Sequence, residues 1–280
     1  MTSSHLVGWR QAFNNAKLWF GFVQIASFGY SHPYGNPPKP EISHSRAAGD
    51  LRQSQLAALA LDNVGMTTAV DTGDWSNIHP PDKQHVSSRL ANQALNQIYQ
   101  KEIDGVDFPF YAGSKMTQSG ATITVTVDIR AGGKPVMLTT DAPVSATQST
   151  TLGKGVSPPR NKCVTDGIRS TYPQDCGYPL IIGDNVTVNG TTPNVELNAT
   201  ATIGADGSSI VMTATAPKGF VPKASSYGRA SWPMTIFFAK NGDNLPVIPW
   251  FNNFTSTKPW EPPLELLPPD LAEPLLVDVF

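Results

Sequence analysis

Hydrophobic and polar positions alternate in two distinct ways along this chain. Leu18 to Ser27 (LWFGFVQIAS) is almost continuously apolar. That pattern predicts a strand covered on both faces, as in a parallel sheet. Arg46 to Leu61 reads as a helix with Leu51, Leu56, Leu59 and Ala60 available for its buried face. Val64 to Val70 is short and β-branched and predicts a second buried strand. Asp82 to Gln100 places Val86, Leu90, Ala94 and Ile98 four apart, with Ala91 and Leu95 beside them, and predicts a second helix. Strand, helix, strand, helix is half of a doubly wound α/β domain. Two strands alone make a poor sheet, so the pattern predicts the C-terminal end of such a domain. After Gly105 the period changes. Ala121 to Ile129, Val195 to Ile203 and Ile210 to Ala214 alternate strictly, rich in Thr and Val and separated by Gly-Gly and Asp-Gly turns. This predicts a β-sandwich-like domain. The expected division is 1–103 (α/β), 104–255 (β-rich) and 256–280, a proline-rich acidic tail without fixed structure.

Composition narrows the partners. With a net charge of -2 and only 15% charged residues, the chain has no basic run to neutralise phosphates, which argues against nucleic acid. The Leu18–Phe28 apolar run is interrupted by Gln24 and is shorter than the roughly 20 residues a bilayer span needs, so no membrane insertion is expected. Cys163 and Cys176 lie in a proline-containing loop-like stretch and are candidates for a disulfide. Four N-x-S/T sequons, at Asn185, Asn189, Asn198 and Asn253, agree with an oxidising compartment. Together they point to the secretory pathway, lysosomal or extracellular, with any signal peptide encoded upstream of Met1.

The candidate chemistry sits between the second strand and the second helix. Asp71, Gly73, Asp74, Ser76 and Asn77 form a turn cluster, and His79 stands at its end before two prolines. Loops past the ends of parallel strands are where open α/β sheets display chemistry. A histidine there can take and return a proton near neutral pH, and either Asp71 or Asp74 can orient its ring. Arg52 and Gln55, one turn apart on the first helix, either hold a substrate or tie that helix to a loop. Trp9, Trp75 and Trp232 either stack on sugar rings or pack as core aromatics. His32, His44, His79 and His85 lack tight metal-ligand spacing, so no metal site is expected. No G-x-S-x-G or G-D-S turn supplies a nucleophile.

Several of these stretches together resemble the sialate O-acetylesterase family. They are W-R-x-x-F at Trp9, Arg10 and Phe13, F-x-Q-I-A at Phe22 to Ala26, and D-L-R-Q-S-Q at Asp50 to Gln55. The longest is GMTTAVDTGDWSNIHPPDKQ, Gly65 to Gln84, followed by R-L-A-N-Q-A-L at Arg89 to Leu95. C-G-Y-P at Cys176 to Pro179, Trp232-Pro233 and L-P-V-I-P-W at Leu245 to Trp250 extend the resemblance into the β region. It implies an SGNH-type hydrolase that removes O-acetyl groups from sialic acids or related sugars, with His79 as base. Asp74 or Asp71 reaches across to orient its ring, or a backbone carbonyl does so in a dyad; Arg52, Gln55 and Trp75 are the candidate substrate contacts, and no metal or organic cofactor is required. Position 76, three residues before His79, is serine where simpler members of the class carry Asp. Tyr227 is preceded by Ser226 where many members have Arg. The nucleophile is expected from a segment upstream of this chain. The competing expectation is a truncated non-catalytic pseudoenzyme or a carbohydrate-binding remnant.

Overall fold

The computed structural model describes residues 3–28, 47–73, 78–80, 82–141, 179–229, 233, 236–240, 242 and 244–258. The chain first forms α1 (Ser3–Ala12), β1 (Phe20–Gln24), α2 (Ala47–Leu56), β2 (Val64–Thr68) and α3 (Gln84–Gln97). The strand-rich part follows with β3 (Phe110–Ser119), β4 (Thr122–Ala131), β5 (Lys134–Pro135), β6 (Leu138–Thr139), β7 (Leu180–Thr187) and β8 (Gly190–Asn198). It continues with β9 (Thr200–Ile203), β10 (Ser209–Thr215), β11 (Phe220–Tyr227), β12 (Phe238–Ala239) and β13 (Trp250–Asn253). Strands dominate the described residues. None of the helices there is long and apolar enough to cross a membrane.

β1 and β2 pair in parallel, Phe20 opposite Val64 through Gln24 opposite Thr68. One face carries Phe22, Val64 and Met66, packed with Leu6 of α1 and Leu56 of α2. On the other face Gly21 and Gly65 stand side by side. A Cβ on either would come within 2.2 to 2.4 Å of the Trp19 ring. The two glycines therefore form a flat seat for that indole, whose Nε1 donates to Gln97 on α3 at 2.7 Å. Helices thus cover both faces of the strand pair, as continuous apolar strands require.

Both strands are shorter than their apolar runs. Beyond Gln24 the backbone leaves the ladder because side chains take over its partners. The Ile25 N–H donates to Gln55 Oε1 at 2.9 Å, and the Ile25 and Ala26 carbonyls accept from Arg52. Beyond Thr68, the Val70 N–H donates to the Thr68 hydroxyl. The buried face of α3 also differs from the apolar stripe. Its centre is Val86, Arg89 and Gln93, while Leu95 and Ile98 are exposed and Ala91 faces solvent. Polar partners turn the helix: Arg89 reaches Asp71 and Gln93 donates to the Val106 carbonyl.

In the strand-rich part, one antiparallel sheet has the order β3-β4-β10-β9, with β5 on β4. The other has the order β13-β11-β7-β8. Ile123, Val125, Val127 and Ile129 of β4 and Ile210 and Met212 of β10 share one buried cluster with Ile181, Phe220, Tyr227 and Trp250 of the second sheet. The Tyr227 hydroxyl accepts from the Ile236 and Phe237 N–H groups at 2.8 and 3.3 Å, and its ring lies 4.9 Å from that of Trp250. The alternating run Val195–Ile203 is not one strand. It breaks at the buried Ala199, where the chain leaves the second sheet as β8 and joins the first as β9.

The segment Leu245–Trp250 is a seam between the two parts. Leu245 and Ile248 enter the cluster under β1 and β2, whereas Val247 and Trp250 enter the strand-rich core. A second clamp joins α2 to the end of β11. Arg229 Nε donates to Asp50 at 2.7 Å, its guanidinium lies 3.8 Å from the Phe251 ring centroid, and Gly49 approaches the Arg229 carbonyl too closely for a Cβ.

Candidate active site

The C-terminal ends of β1 and β2 lie beside each other, and buried polar side chains hold the two loops that leave them. Gln24 and Thr68 face each other in register and are joined at 2.7 Å, while Gln24 Nε2 donates to the Arg52 carbonyl. Arg52, 1% exposed, donates from Nε to the Ile25 carbonyl at 3.0 Å and from Nη2 to that of Ala26 at 3.1 Å. Gln55 accepts from Ile25. Of the two roles open to this pair, the bonds show the tie between helix and loop, and both side chains are buried. The D-L-R-Q-S-Q stretch is therefore a brace for the loop after β1.

Ser27 belongs to the same brace. Its hydroxyl donates to the Val70 carbonyl at 2.6 Å and the residue is 1% exposed. The Gly73 backbone passes so close to the Ser27 carbonyl that a Cβ would sit 2.0 Å from that oxygen. Contact between the two loops thus requires glycine at this position. Thr67 and Thr72 are buried nearby, and neither hydroxyl has a hydrogen-bond partner among the described residues.

From the opposite face, α3 sends Arg89 under the loop after β2. Its Nη1 and Nη2 donate to the two oxygens of Asp71 at 2.8 and 2.7 Å, and Nη1 also donates to the Thr68 carbonyl at 3.2 Å. The Asp71 side chain is fully buried and that of Arg89 is 3% exposed. Paired charge-assisted bonds of this kind fix both position and orientation. Asp71, expected as one of two carboxylates that orient a histidine, is thus engaged through both oxygens as an anchor of the strand end. The sequence places Arg89 in the R-L-A-N-Q-A-L stretch but does not mark it as the partner of Asp71. The signal that could have found it was a cation at a position facing the strand end in an otherwise uncharged helix run.

His79 follows this braced segment. It is exposed, between the 49% exposed Ile78 and the buried Pro80, so the imidazole is displayed while the next residue anchors the chain. Asp82 and His85 then meet at 2.7 Å across the start of α3. Asp74 and Trp75 lie outside the described residues, as do Trp232, Cys163 and Cys176. Trp9 is 52% exposed and stacks on Phe13 at 5.8 Å, on the outer side of α1. Of the sequons, Asn189 is exposed at the β7–β8 turn and Asn198 is exposed at the end of β8. Asn185 and Asn253 are partly buried, with side-chain oxygens enclosed.

No protein-family model matches this chain, and no curated protein does. Its fold is similar to the crystal structure of a carbohydrate acetylesterase from Xanthomonas citri, with a TM-score of 0.54 and 21% sequence identity. The match covers 88% of this chain and 43% of that chain. This chain thus spans less than half the length of the protein it resembles, and the likeness is one of fold.

Proposed function

We propose that this chain is part of a carbohydrate O-acetylesterase of the SGNH type, with His79 as the proton-transfer group. The observation that carries the reading is the exposed His79 in the segment that follows a buried parallel strand, the start of which is held by Arg89 on Asp71 and by the close approach of Gly73 to Ser27. The resemblance to sialate O-acetylesterases and the fold likeness to a carbohydrate acetylesterase support it. In this mechanism a serine hydroxyl attacks the acetyl carbonyl while His79 takes its proton. His79 then protonates the departing sugar oxygen, and water releases acetate by the same steps in reverse order. Asp74 is slightly preferred over Asp71 as the orienting carboxylate, being nearer to His79 in sequence. Arg52 and Gln55 act through the loop they hold, and Trp75 contacts the sugar. Sialic acids are the substrate class that the sequence resemblance favours.

Ser27 is not the nucleophile of this scheme, because its hydroxyl is buried and donated to the Val70 carbonyl. We propose that the serine comes from a preceding α/β segment that extends the sheet at β1. Among the described residues β1 pairs only with β2, and Val23, Leu95 and Ile98 are exposed. In this reading residues 1–103 end an α/β domain, 104–255 form a sandwich-like domain and 256–280 a tail. Exposed Asn189 and Asn198 agree with a secretory setting, and a Cys163–Cys176 disulfide belongs to the same proposal.

Acetyl release from an aryl acetate tests the assignment. In the full natural gene product, His79→Ala should lower turnover at least about 100-fold. Turnover equal to wild type would refute the role of His79. The 280-residue chain alone should be inactive, and serine-dependent turnover by it would refute the upstream nucleophile. The second reading, a non-catalytic carbohydrate-binding protein, rests on the engagement of Ser27 and predicts no acetyl release from either form.

A further inference from the structure

We propose that the outer face of the β3-β4-β10 sheet holds a binding site for one neutral sugar ring. A cavity of about 390 Å³ opens there, between the β3 bulge at Tyr111/Gly113 and the segment that follows β13. That volume falls in the range of small-molecule sites, roughly 300–1,000 Å³. It shares no residue with the loops around Asp71 and His79.

Strand alternation builds its floor. Val125 and Val127 point into the core, so Thr126 and Asp128 project outward. Lys115 lies opposite Thr126 on β3, and Ser209 lies opposite Asp128 on β10. Asp206 completes one wall and Phe254 supplies an apolar surface. The Asp206 Oδ1 accepts from the Ser208 and Ser209 N–H groups and the Ser209 hydroxyl, at 3.0, 3.0 and 2.8 Å. These bonds, that of the Ser209 hydroxyl first, hold its carboxyl below the usual aspartate range. It is therefore a fixed, ionised acceptor. Lys115 makes no hydrogen bond or ion pair among the described residues, so its three donors are available to a ligand.

The charges decide the ligand class. Asp128 is offset by Arg130 at 2.8 Å, and Asp206 faces the same cavity as Lys115. The site offers carboxylate acceptors, an ammonium donor and hydroxyls without an excess of either sign. An anion or cation gains little there. A ring of vicinal hydroxyls can donate to the carboxylates and accept from Lys115 and Thr126, with its C–H face on Phe254.

The test titrates the 280-residue chain, isotopically labelled, with cellohexaose, xylohexaose and mannohexaose while amide shifts are recorded. At least one should give a saturable shift centred on Lys115, Thr126 and Ser209, with Kd between about 0.1 and 5 mM. Thr126→Trp, which fills the floor from an outward-facing position, should weaken binding at least about tenfold, or 1.4 kcal/mol. Thr124→Trp, outward on the same strand but not lining the cavity, should bind as wild type does. Absence of saturable shifts with all three sugars overturns the proposal. So does unchanged binding by Thr126→Trp, or an equal loss in Thr124→Trp. The readout is binding rather than acetyl release, so it stands or falls separately from the esterase assignment.

Discussion

Arg89→Met isolates the anchor under the candidate site. The substitution keeps much of the side-chain volume in α3 and removes the guanidinium. It deletes two bonds to Asp71, of 2.8 and 2.7 Å, and one to the Thr68 carbonyl. The Asp71 carboxylate then loses its counter-charge in a position with no solvent exposure. Breaking a buried pair from one side costs about 3–5 kcal/mol, because the remaining charge stays desolvated. Against a total stability of roughly 5–15 kcal/mol, that is a large fraction. Urea unfolding should show a lower midpoint at unchanged slope. The melting temperature should fall by about 10 °C, at roughly 2–4 °C per kcal/mol for a chain of this size. Adding Asp71→Asn removes the stranded charge, so the double variant should recover at least about 2 kcal/mol of the loss. A single variant within about 1 kcal/mol of wild type, or a double variant no better than the single, would show that the pair does not hold the strand end.

Three further outcomes follow from particular contacts. Gly73→Ala forces a Cβ to within 2.0 Å of the Ser27 carbonyl unless the loops part, and should cost about 1–3 kcal/mol in chemical denaturation; an unchanged midpoint would show that the loops are not in contact. Tyr227→Phe strips the Ile236 and Phe237 N–H groups of their shared acceptor and should cost about 1–3 kcal/mol, read as a lower melting temperature. The Asp184 carboxyl is held below its ordinary value of 3.8, first by the hydrogen bond from Lys223 at 2.8 Å. A lowered folded-state pKa contributes stability that is present above pH 3.8 and is lost as pH falls through the lower folded value. Asp184→Asn should therefore lose a small increment at neutral pH and none at the acid end. An equal loss at both ends, in melts across that window, would contradict the linkage.

Much of the chain's plan was legible from the order of residues. Continuous apolar runs marked β1 and β2 as strands covered on both faces, and strict alternation marked β4 and β10, because burial on two faces and on one leave different periods. The display of a histidine past a strand end was likewise visible in Val64–Pro80. What tertiary structure decided was the fate of the polar side chains and of ambiguous runs. Nothing local says that Arg52 is buried. It becomes so because the loop after β1 leaves the ladder and presents two carbonyls to it. Arg89 and Gln93 displace an apolar stripe as the inner face of α3, since Asp71 and the Val106 carbonyl need partners in a place without water. Val195–Ile203 alternates like one strand, yet it serves two sheets, since alternation records which side is buried and not which neighbour pairs. In Leu245–Trp250, one short apolar run is shared between two cores. Sequence determined which residues must leave water; only the packed chain determined which of them meet.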